Sequence, residues 1–346
     1  MKTLSLNRRN FLQSAVVGAA AGAVLGAPVV ARAANKQFRL RVASSLSTDE
    51  YSEHYFWFQR FASNLKASVG DQIRLDYYPN GQLGSEGDTV QQVKTGSIDM
   101  MISGSAIWAT ALPEIGMLDL GYLFDSYEHL KKNLDGAVGQ KLTQMIAERS
   151  KVSIIGWTSP FGARSIYTKK LVTSLSGIAG MKIRVLPTPV FIQTFEALGA
   201  TPTPVSMNEL YTALQTGIVD GFEHNAPTAL AVKLYETTKN CYLSEHMLLP
   251  VAAAVSPRLM NILPAELKSA FLNAASEASD YQYAQTPAKV QKAISALQKA
   301  GVTFTPMSKS DREAARKVVK DKVWAPFIDK YPLAKPLIAA IDSDRA

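Results

Sequence analysis

The stretch that decides the fold runs from residue 181 to residue 191 and reads MKIRVLPTPVF. Met181, Ile183 and Val185 alternate with two basic residues, and this period of two predicts a β-strand. Two prolines within three positions then end the strand, because proline has no backbone N–H to donate to a sheet. The sequence therefore predicts a short strand with Arg184 near its carboxyl end, either as a solvated surface charge or as a group aimed at a partner.

Strand and helix patterns alternate on both sides of this stretch. Strands are predicted at 38–43, 73–78, 98–103, 152–157, 164–168, 181–185, 201–204 and 218–222. Helices are predicted at 51–69, 86–94, 128–149, 191–198, 207–215, 264–300 and 309–331, with the helix at 264–300 interrupted or bent around Pro287. This βαβα order predicts an α/β protein with largely parallel sheets.

One segment of the chain is echoed later. QQVKTGSIDMMI (91–102) and TALQTGIVDGFE (212–223) share a helix end, a Thr-Gly pair, two further residues and an aspartate at the start of a strand. A glycine after a helix is ordinary capping chemistry, but two copies in the same context predict two similar α/β lobes. Two such lobes place a ligand cleft between them, where the carboxyl ends of strands meet.

The first 33 residues have the features of an export signal. NRRNFLQ (7–13) resembles a twin-arginine motif, an Ala/Gly/Val run follows, and Ala31-Arg32-Ala33 supplies a small-x-small cleavage pattern. The alternative is a membrane anchor, which the low hydrophobicity of the run and the cleavage pattern disfavour. We therefore expect cleavage near Ala33 and a periplasmic mature chain.

The net charge does not favour a nucleic-acid partner. The formal charge of the whole chain is +8, but the predicted signal carries four basic and no acidic residues, so the mature chain is left at +4. No stripe of Lys and Arg remains. A mild positive balance suits an anionic small ligand.

Catalytic and metal-binding patterns are missing from the sequence. Four histidines and the single Cys241 show no metal-ligand spacing, and there is no nucleophile elbow or phosphate-binding loop. A single cysteine excludes an intrachain disulfide, and its apolar neighbours indicate a small core residue. We therefore expect no enzymatic activity, no catalytic residue, no metal and no cofactor.

Polar residues instead lie at the ends of predicted strands. Arg164 lies in PFGARSIYT, Arg184 in KIRVLPTP, and Glu223, His224 and Asn225 follow the strand at 218–222. If these strands share one sheet, their carboxyl ends open onto one crevice. Two guanidinium groups there would bind a carboxylate through rigid bidentate donors. From spacing alone, each arginine is more readily interpreted as a surface charge.

A longer block of sequence points to a family. GMKIRVLPTPVFIQTFEALGATPTPVSMNELYTALQTGIVDGFEHN (180–225) closely resembles the solute receptors of tripartite ATP-independent periplasmic (TRAP) transporters, the dicarboxylate-receptor-like family. LGSEGDTVQQVKTGSIDM (83–100) and LGYLFDSYEHL (120–130) match the same family, and the resemblance extends over about residues 38–331.

The resemblance implies a fold and its domains. It implies an α/β, two-lobed periplasmic-binding-protein (Venus-flytrap) fold with one long helix, at 264–300, spanning both lobes. Lobe I would contain residues 34–157 and 250–289, and lobe II residues 158–249 and 290–346. Closure of the lobes around the ligand would be a hinge motion.

The resemblance also implies a role for individual residues. Arg184 would pair with a ligand carboxylate, Arg164 would support the same group, and Glu86 and Met207 would face the ligand. Asn225 or His224 would hydrogen-bond to it, with Glu223 in the same site. The segment Glu-His-Asn-Ala-Pro (223–227) departs from the common Glu-Asn-Pro pattern and is nearer to relatives that bind sugar acids. The expected ligand is a sugar acid or a C4-dicarboxylate-like organic acid.

The implied function is therefore that of a receptor. We expect a monomer that captures a carboxylate-containing solute in the periplasm and delivers it to TRAP permease subunits, and that binds no nucleic acid. Two alternatives remain open from the sequence: a periplasmic enzyme exported by the twin-arginine route, and a sensor subunit that presents its ligand to a membrane receptor.

Overall fold

The computed structural model describes residues 37–345. The predicted signal at 1–33 lies outside the described residues. Within residues 37–345, no helix is both long enough and apolar enough to cross a membrane.

The strands of the described region form two sheets. They are β1 (Phe38–Ser44), β2 (Ile73–Tyr78), β3 (Met100–Gly104), β4 (Ser153–Thr158), β5 (Arg164–Thr168), β6 (Lys182–Val185), β7 (Thr201–Pro204), β8 (Gly221–His224), β9 (Asn240–Met247), β10 (Val251–Val255) and β11 (Thr303–Pro306). Sheet 1 has the order β2-β1-β3-β10-β4, and sheet 2 has the order β11-β9-β5-β8-β6-β7.

Helices connect and cover the strands. They are α1 (Glu53–Val69), α2 (Glu86–Thr95), α3 (Tyr127–Asp135), α4 (Ala137–Ser150), α5 (Pro189–Ala197), α6 (Met207–Thr216), α7 (Ala226–Ala231), α8 (Pro257–Ile262), α9 (Ala265–Lys299), α10 (Lys309–Val319), α11 (Ala325–Lys330) and α12 (Lys335–Ser343).

In each sheet all strands but one run in the same direction, in agreement with the expectation of largely parallel sheets. In sheet 1, β10 runs antiparallel to β3 and β4, and in sheet 2, β5 runs antiparallel to β8 and β9. The chain leaves sheet 1 after β4 and enters sheet 2 at β5, then leaves sheet 2 after β9 and returns at β10. The two reversed strands are thus reached by direct crossings between the sheets, whereas β11 is reached from β10 through α8 and α9.

The echoed segments occupy matching places in the two sheets. Gly96 and Gly217 end α2 and α6 in the left-handed conformation, with φ of 77° and 76°. Asp99 then accepts a 2.9 Å hydrogen bond from the backbone N–H of Arg41 in β1, and Asp220 accepts one of the same length from Lys182 in β6. Each aspartate joins the start of a central strand to its parallel neighbour, which gives the repeat a structural role.

Two predicted helices differ in detail. The helix expected at 128–149 is divided into α3 and α4 at Gly136, whose extended backbone (φ −86°, ψ −160°) breaks the helical run. The helix expected at 309–331 continues from α10 into α11 through a π-helical turn at Lys320–Trp324. In contrast, α9 is uninterrupted over 35 residues despite containing Pro287.

The long helix α9 contacts elements of both sheets. It packs against α1 and β4 on the side of sheet 1 and against α7, which follows β8 of sheet 2. Ser279 accepts a 3.0 Å hydrogen bond from Trp57 Nε1 in α1, and Gln282 Nε2 donates one of 2.6 Å to the carbonyl of Ser159 between β4 and β5. The helix thus supports the segment where the chain crosses between the sheets.

Candidate functional site

The predicted site residues of sheet 2 meet at one edge of the sheet. Arg184 lies at the carboxyl half of β6 and His224 ends the parallel strand β8. Arg164 begins β5, which runs antiparallel to β8 and pairs Ser165 with His224. Arg164 therefore reaches the same edge of the sheet from the amino end of a reversed strand, where the sequence analysis expected carboxyl ends.

Arg184 is a buried cation with incomplete pairing. Its side chain is fully buried, and Nε donates a 2.7 Å hydrogen bond to the carbonyl of Val205. Nη1 and Nη2 have no hydrogen-bond partner among the described residues. Burial lowers the pKa of Arg184 to about 10, which still leaves the guanidinium charged at neutral pH. Two buried donors on a charged group without partners are costly unless a ligand pairs with them.

Arg164 has a protein partner. Its Nε donates to Glu223 Oε2 at 2.5 Å, and its Nη2 donates to Glu223 Oε1 at 2.7 Å and to the Glu223 carbonyl at 3.1 Å. The guanidinium also lies over the ring of Phe191, 5.2 Å from its centroid. This bidentate arrangement holds the guanidinium in a defined orientation.

Glu223 is a counter-ion beneath the site. It is fully buried, and the Nε2 atom of His246 lies 3.5 Å from its Oε2 atom. Burial alone would raise the pKa of Glu223, but the guanidinium of Arg164 and the His246 ring outweigh it and hold the pKa below its ordinary value. Burial lowers the pKa of His246, so the ring is neutral near pH 7. The structure thus places Glu223 as the partner of Arg164 and not in the lining of the cavity that Arg164 lines, and its predicted contact with a ligand stays a prediction.

Four of the seven predicted site residues line one cavity, which we name the Arg164 cavity. Its lining includes Arg164, Glu86, Met207 and His224, together with Glu53 and His54, which the sequence reading did not select. Its volume is about 30 Å³, room for about two water molecules. Arg184 does not line it but interacts electrostatically with Arg164, Glu86 and His224.

Glu86 and Met207 reach this cavity because of the internal repeat. Glu86 is the first residue of α2 and Met207 is the first residue of α6, the two helices of the echoed segments. Ser45 Oγ donates a 2.8 Å hydrogen bond to Glu86 Oε1, which orients that carboxylate. The two halves of the chain therefore each contribute a helix start to the cavity wall.

The two histidines at the cavity are neutral. Burial lowers the pKa of His54 to about 3, and burial together with Arg164 and Arg184 lowers the pKa of His224 far below its ordinary value. His224 Nδ1 accepts a 2.9 Å hydrogen bond from the backbone N–H of Asn225. A neutral ring that accepts at Nδ1 carries its proton on Nε2, which makes His224 a hydrogen-bond donor at the cavity.

Glu53 connects α1 to the segment between β4 and β5 and to the start of α7. Its Oε2 accepts from the backbone N–H of Phe161 at 2.6 Å and from Asn225 Nδ2 at 3.0 Å. Burial raises the pKa of Glu53 to about 7, although these two donors and Arg164 act to lower it. At sequence level Glu53 resembles an ordinary acidic residue in a first helical turn, after the cap Ser52, so nothing local distinguished it.

Asn225 is already engaged by the protein. It caps α7 by accepting the backbone N–H of Thr228 at Oδ1, at 2.9 Å, while Nδ2 donates to Glu53. It is buried and does not line the Arg164 cavity. The sequence analysis expected Asn225 or His224 to hydrogen-bond to the ligand. In this arrangement both side-chain polar atoms of Asn225 are in use, whereas Nε2 of His224 is available.

Taken together, the site can bind an anion that also has hydroxyl groups. The unpartnered guanidinium of Arg184 suits a carboxylate, since it offers two parallel N–H donors. A neutral His224 donor and the Glu86 carboxylate suit hydroxyl groups. No group of three metal-liganding side chains occurs in the described part of the chain.

Comparison with known proteins decides the family. The profile of bacterial extracellular solute-binding protein family 7 matches residues 43–330. The chain belongs to this family. The predicted membership is therefore confirmed, and family 7 solute-binding proteins of TRAP systems bind small organic anions and work with membrane permeases.

Individual family 7 proteins are similar over nearly their whole length. The 2,3-diketo-L-gulonate-binding periplasmic protein of Escherichia coli is 27% identical over 296 residues, which is 85% of this chain and 89% of that protein. A TRAP periplasmic solute-binding protein from Pseudomonas putida with bound D-glucuronate is 30% identical, with a TM-score of 0.81 over 89% of this chain and 98% of the other. The sugar-acid-binding protein of Advenella mimigardefordensis in complex with galactonate is 26% identical, with a TM-score of 0.84 over 90% and 99%.

These likenesses confirm the predicted fold class. The chain has the two-lobed α/β fold of the periplasmic TRAP solute-binding proteins, with α9 as its long helix. The roles of the individual site residues stay predictions.

Proposed function

We propose that the chain is a periplasmic receptor that captures a sugar acid by its carboxylate and delivers it to a TRAP permease. Arg184 is the carboxylate anchor in this proposal. Arg164, held by Glu223, supports the same group, and Glu86, His224 and Met207 contact the rest of the ligand. The single observation that carries the proposal is the buried Arg184 guanidinium, whose Nη1 and Nη2 are unpartnered and which interacts electrostatically with Arg164 and Glu86 at the Arg164 cavity.

The ligand class is chosen from the chemistry of the cavity and from the relatives. A cavity wall with hydrogen-bonding groups beyond the arginines favours a hydroxylated acid over a simple dicarboxylate. The similar proteins with bound D-glucuronate and galactonate, and the diketogulonate-binding protein, support the same choice.

The proposal includes opening and closing of two lobes. A volume of about 30 Å³ beside Arg164 admits water but not a sugar acid, so the lobes must part before the ligand enters. We take residues 34–157 and 250–289 as lobe I and residues 158–249 and 290–346 as lobe II, joined by the crossings after β4 and after β9. The closed form around the ligand is the form that the permease recognises.

The proposal also covers export and the state of the mature chain. Residues 1–33 direct export by the twin-arginine route and are cleaved near Ala33. The mature receptor is a monomer, binds no nucleic acid and catalyses no reaction. Intact mass of the protein recovered from the periplasm tests the cleavage: a mass that includes residues 1–33 contradicts it.

Ligand identity is tested by native purification followed by mass spectrometry of the released small molecules. A thermal-shift panel accompanies it, with D-glucuronate, D-galacturonate, galactonate, erythronate, 2,3-diketo-L-gulonate and succinate. A ligand present at 100 times its Kd stabilises the protein by about 2.7 kcal/mol, and we expect this from a sugar acid. The proposal is wrong if a neutral or cationic solute raises the Tm and no acid does.

A further inference from the structure

A second cavity lies next to the Arg164 cavity. Its volume is about 300 Å³, ten times larger. Neighbouring positions of two segments line the two cavities: Ile107 and Leu186 line the first, whereas Ala109 and Thr188 line the second. We name the second one the Asp119 cavity, because Asp119 is one of its lining residues.

Asp119 is an unusual wall residue. It is fully buried, yet neither of its carboxyl oxygens has a hydrogen-bond partner among the described residues. Burial raises the pKa of Asp119 well above its ordinary value, although the nearby Arg164 guanidinium and Ser105 hydroxyl act to lower it. Burial therefore favours the protonated form of this carboxyl group more strongly than for an exposed aspartate, and the protonated form has both a donor and an acceptor.

Thr188 repeats this pattern in the same wall. Its side chain is buried, with 1% exposed, and its Oγ1 has no partner in the described structure. Thr188 lies four residues after Arg184, in the proline-rich segment that follows β6. Buried polar groups are almost always paired in folded proteins, so unpaired groups on two residues that line one cavity call for a ligand or for water.

We propose that the Asp119 cavity is the second compartment of the ligand cleft, where Asp119 and Thr188 bind hydroxyl groups of a sugar acid whose carboxylate is held at Arg184. This inference rests on the proposed function and extends it, because it assigns the hydroxyl recognition to two residues that the family resemblance did not select. A sugar acid has a carboxylate at one end and hydroxyl groups along its length. The carboxylate suits the unpartnered Arg184 guanidinium, and the hydroxyl groups suit the unpaired Asp119 and Thr188 side chains. The larger compartment also supplies the volume that the Arg164 cavity lacks.

The test uses two near-isosteric variants of the full chain, Asp119→Leu and Thr188→Val. Calorimetry measures the Kd of the sugar acid that the wild type binds most tightly in the panel above. We expect the Kd to rise at least tenfold in Asp119→Leu and about three- to tenfold in Thr188→Val, since each loses hydrogen bonds to the ligand.

The Tm of the unliganded protein provides a second readout that distinguishes ligand recognition from structural support. Removal of an unpaired buried polar group does not cost stability, so we expect the Tm of both variants to stay level or rise. Asp99→Leu is the matched control. Asp99 is buried but bonded to Arg258 Nη2 and to the Arg41 N–H, so its loss lowers the Tm and leaves the Kd unchanged.

The possible results separate the two proposals. If the wild type binds a sugar acid and both variants keep its Kd within twofold, the compartment holds only water and this inference is wrong. A lower Tm with an unchanged Kd in Asp119→Leu also overturns it, in favour of a structural role. If no acid binds the wild type, the proposed function fails, and this inference fails with it.

Discussion

Arg164 and Arg184 occupy the same edge of sheet 2, and both are buried, but their surroundings differ. In Arg164, Nε and Nη2 are paired with Glu223 through side-chain hydrogen bonds, whereas Arg184 keeps Nη1 and Nη2 unpartnered. Removing the counter-ion of a buried pair is costly, and a buried cation without a counter-ion is prepared for a partner from outside. On this basis we propose Arg184 as the carboxylate anchor and Arg164 as a supporting residue that is also part of the fold, a distinction that sequence spacing could not make.

The strongest test of this contrast concerns stability. In Arg164→Met, Glu223 is left as a buried carboxylate without its main partner, and removing one member of a buried pair costs about 3–5 kcal/mol. We expect a loss of that size in urea unfolding without ligand. The double variant Arg164→Met/Glu223→Met should regain most of it, because no uncompensated charge remains. If the single variant is as stable as the wild type, the ion pair does not support the fold.

A smaller effect is expected from Glu53, which connects α1 to Asn225 near Arg164. Its pKa of about 7 exceeds the ordinary value of 4.5, so between these pH values the native protein keeps a proton that the unfolded chain releases. Its contribution to the free energy of unfolding is therefore present at low pH and falls by up to about 3 kcal/mol as the pH rises from 4.5 to 7.

The matched variant is Glu53→Gln, which mimics the protonated acid at every pH. Urea unfolding at pH 5 and pH 8 gives the free energy of unfolding of the wild type and of the variant. The buried histidines titrate equally in both proteins, so their contribution cancels when one free energy is subtracted from the other. We expect the wild type to lose stability relative to Glu53→Gln between these two pH values. A constant difference would mean that the carboxyl of Glu53 is not perturbed by burial.

The smallest change in stability is expected from Arg184→Met. This variant removes a desolvated charge that has only one hydrogen bond, to Val205, so unfolding without ligand should change by about 1 kcal/mol or less, or show a gain. Arg164→Met and Arg184→Met would then differ clearly in their free energies of unfolding, although both variants replace a buried arginine with methionine. A loss of several kcal/mol in Arg184→Met would give both arginines a structural role and remove the contrast.

Much of the fold was predictable from local patterns. The strand before Pro187, the glycine caps of α2 and α6 and the aspartates at 99 and 220 are local signals, and the structure places them in matching positions. Strand direction was not predictable, because pairing of distant segments decides it and leaves no local mark. The strand β10, VAAAV, was missed since its run of small residues is buried on both faces and shows no alternation.

The site was predictable only in part. Arg164, Arg184, Glu86, Met207 and His224 could be selected from strand ends and from the resemblance. Glu53 and Asp119 could not, because an acidic residue near a helix start or in a turn is ordinary in sequence and becomes unusual only when it is buried. The pairing of Glu223 with Arg164 likewise depends on the reversed direction of β5, which brings the two side chains together.

The most direct measurement of the central claim is a calorimetric titration of Arg184→Lys with the sugar acid that the wild type binds. An ammonium group cannot reproduce two parallel N–H donors, and losing a partner of a buried charge pair costs on the order of 2–5 kcal/mol. The account predicts a Kd raised roughly 30-fold to several-thousand-fold, with a folded protein of near wild-type Tm. A Kd within threefold of wild type would contradict the assignment of Arg184 as the carboxylate anchor.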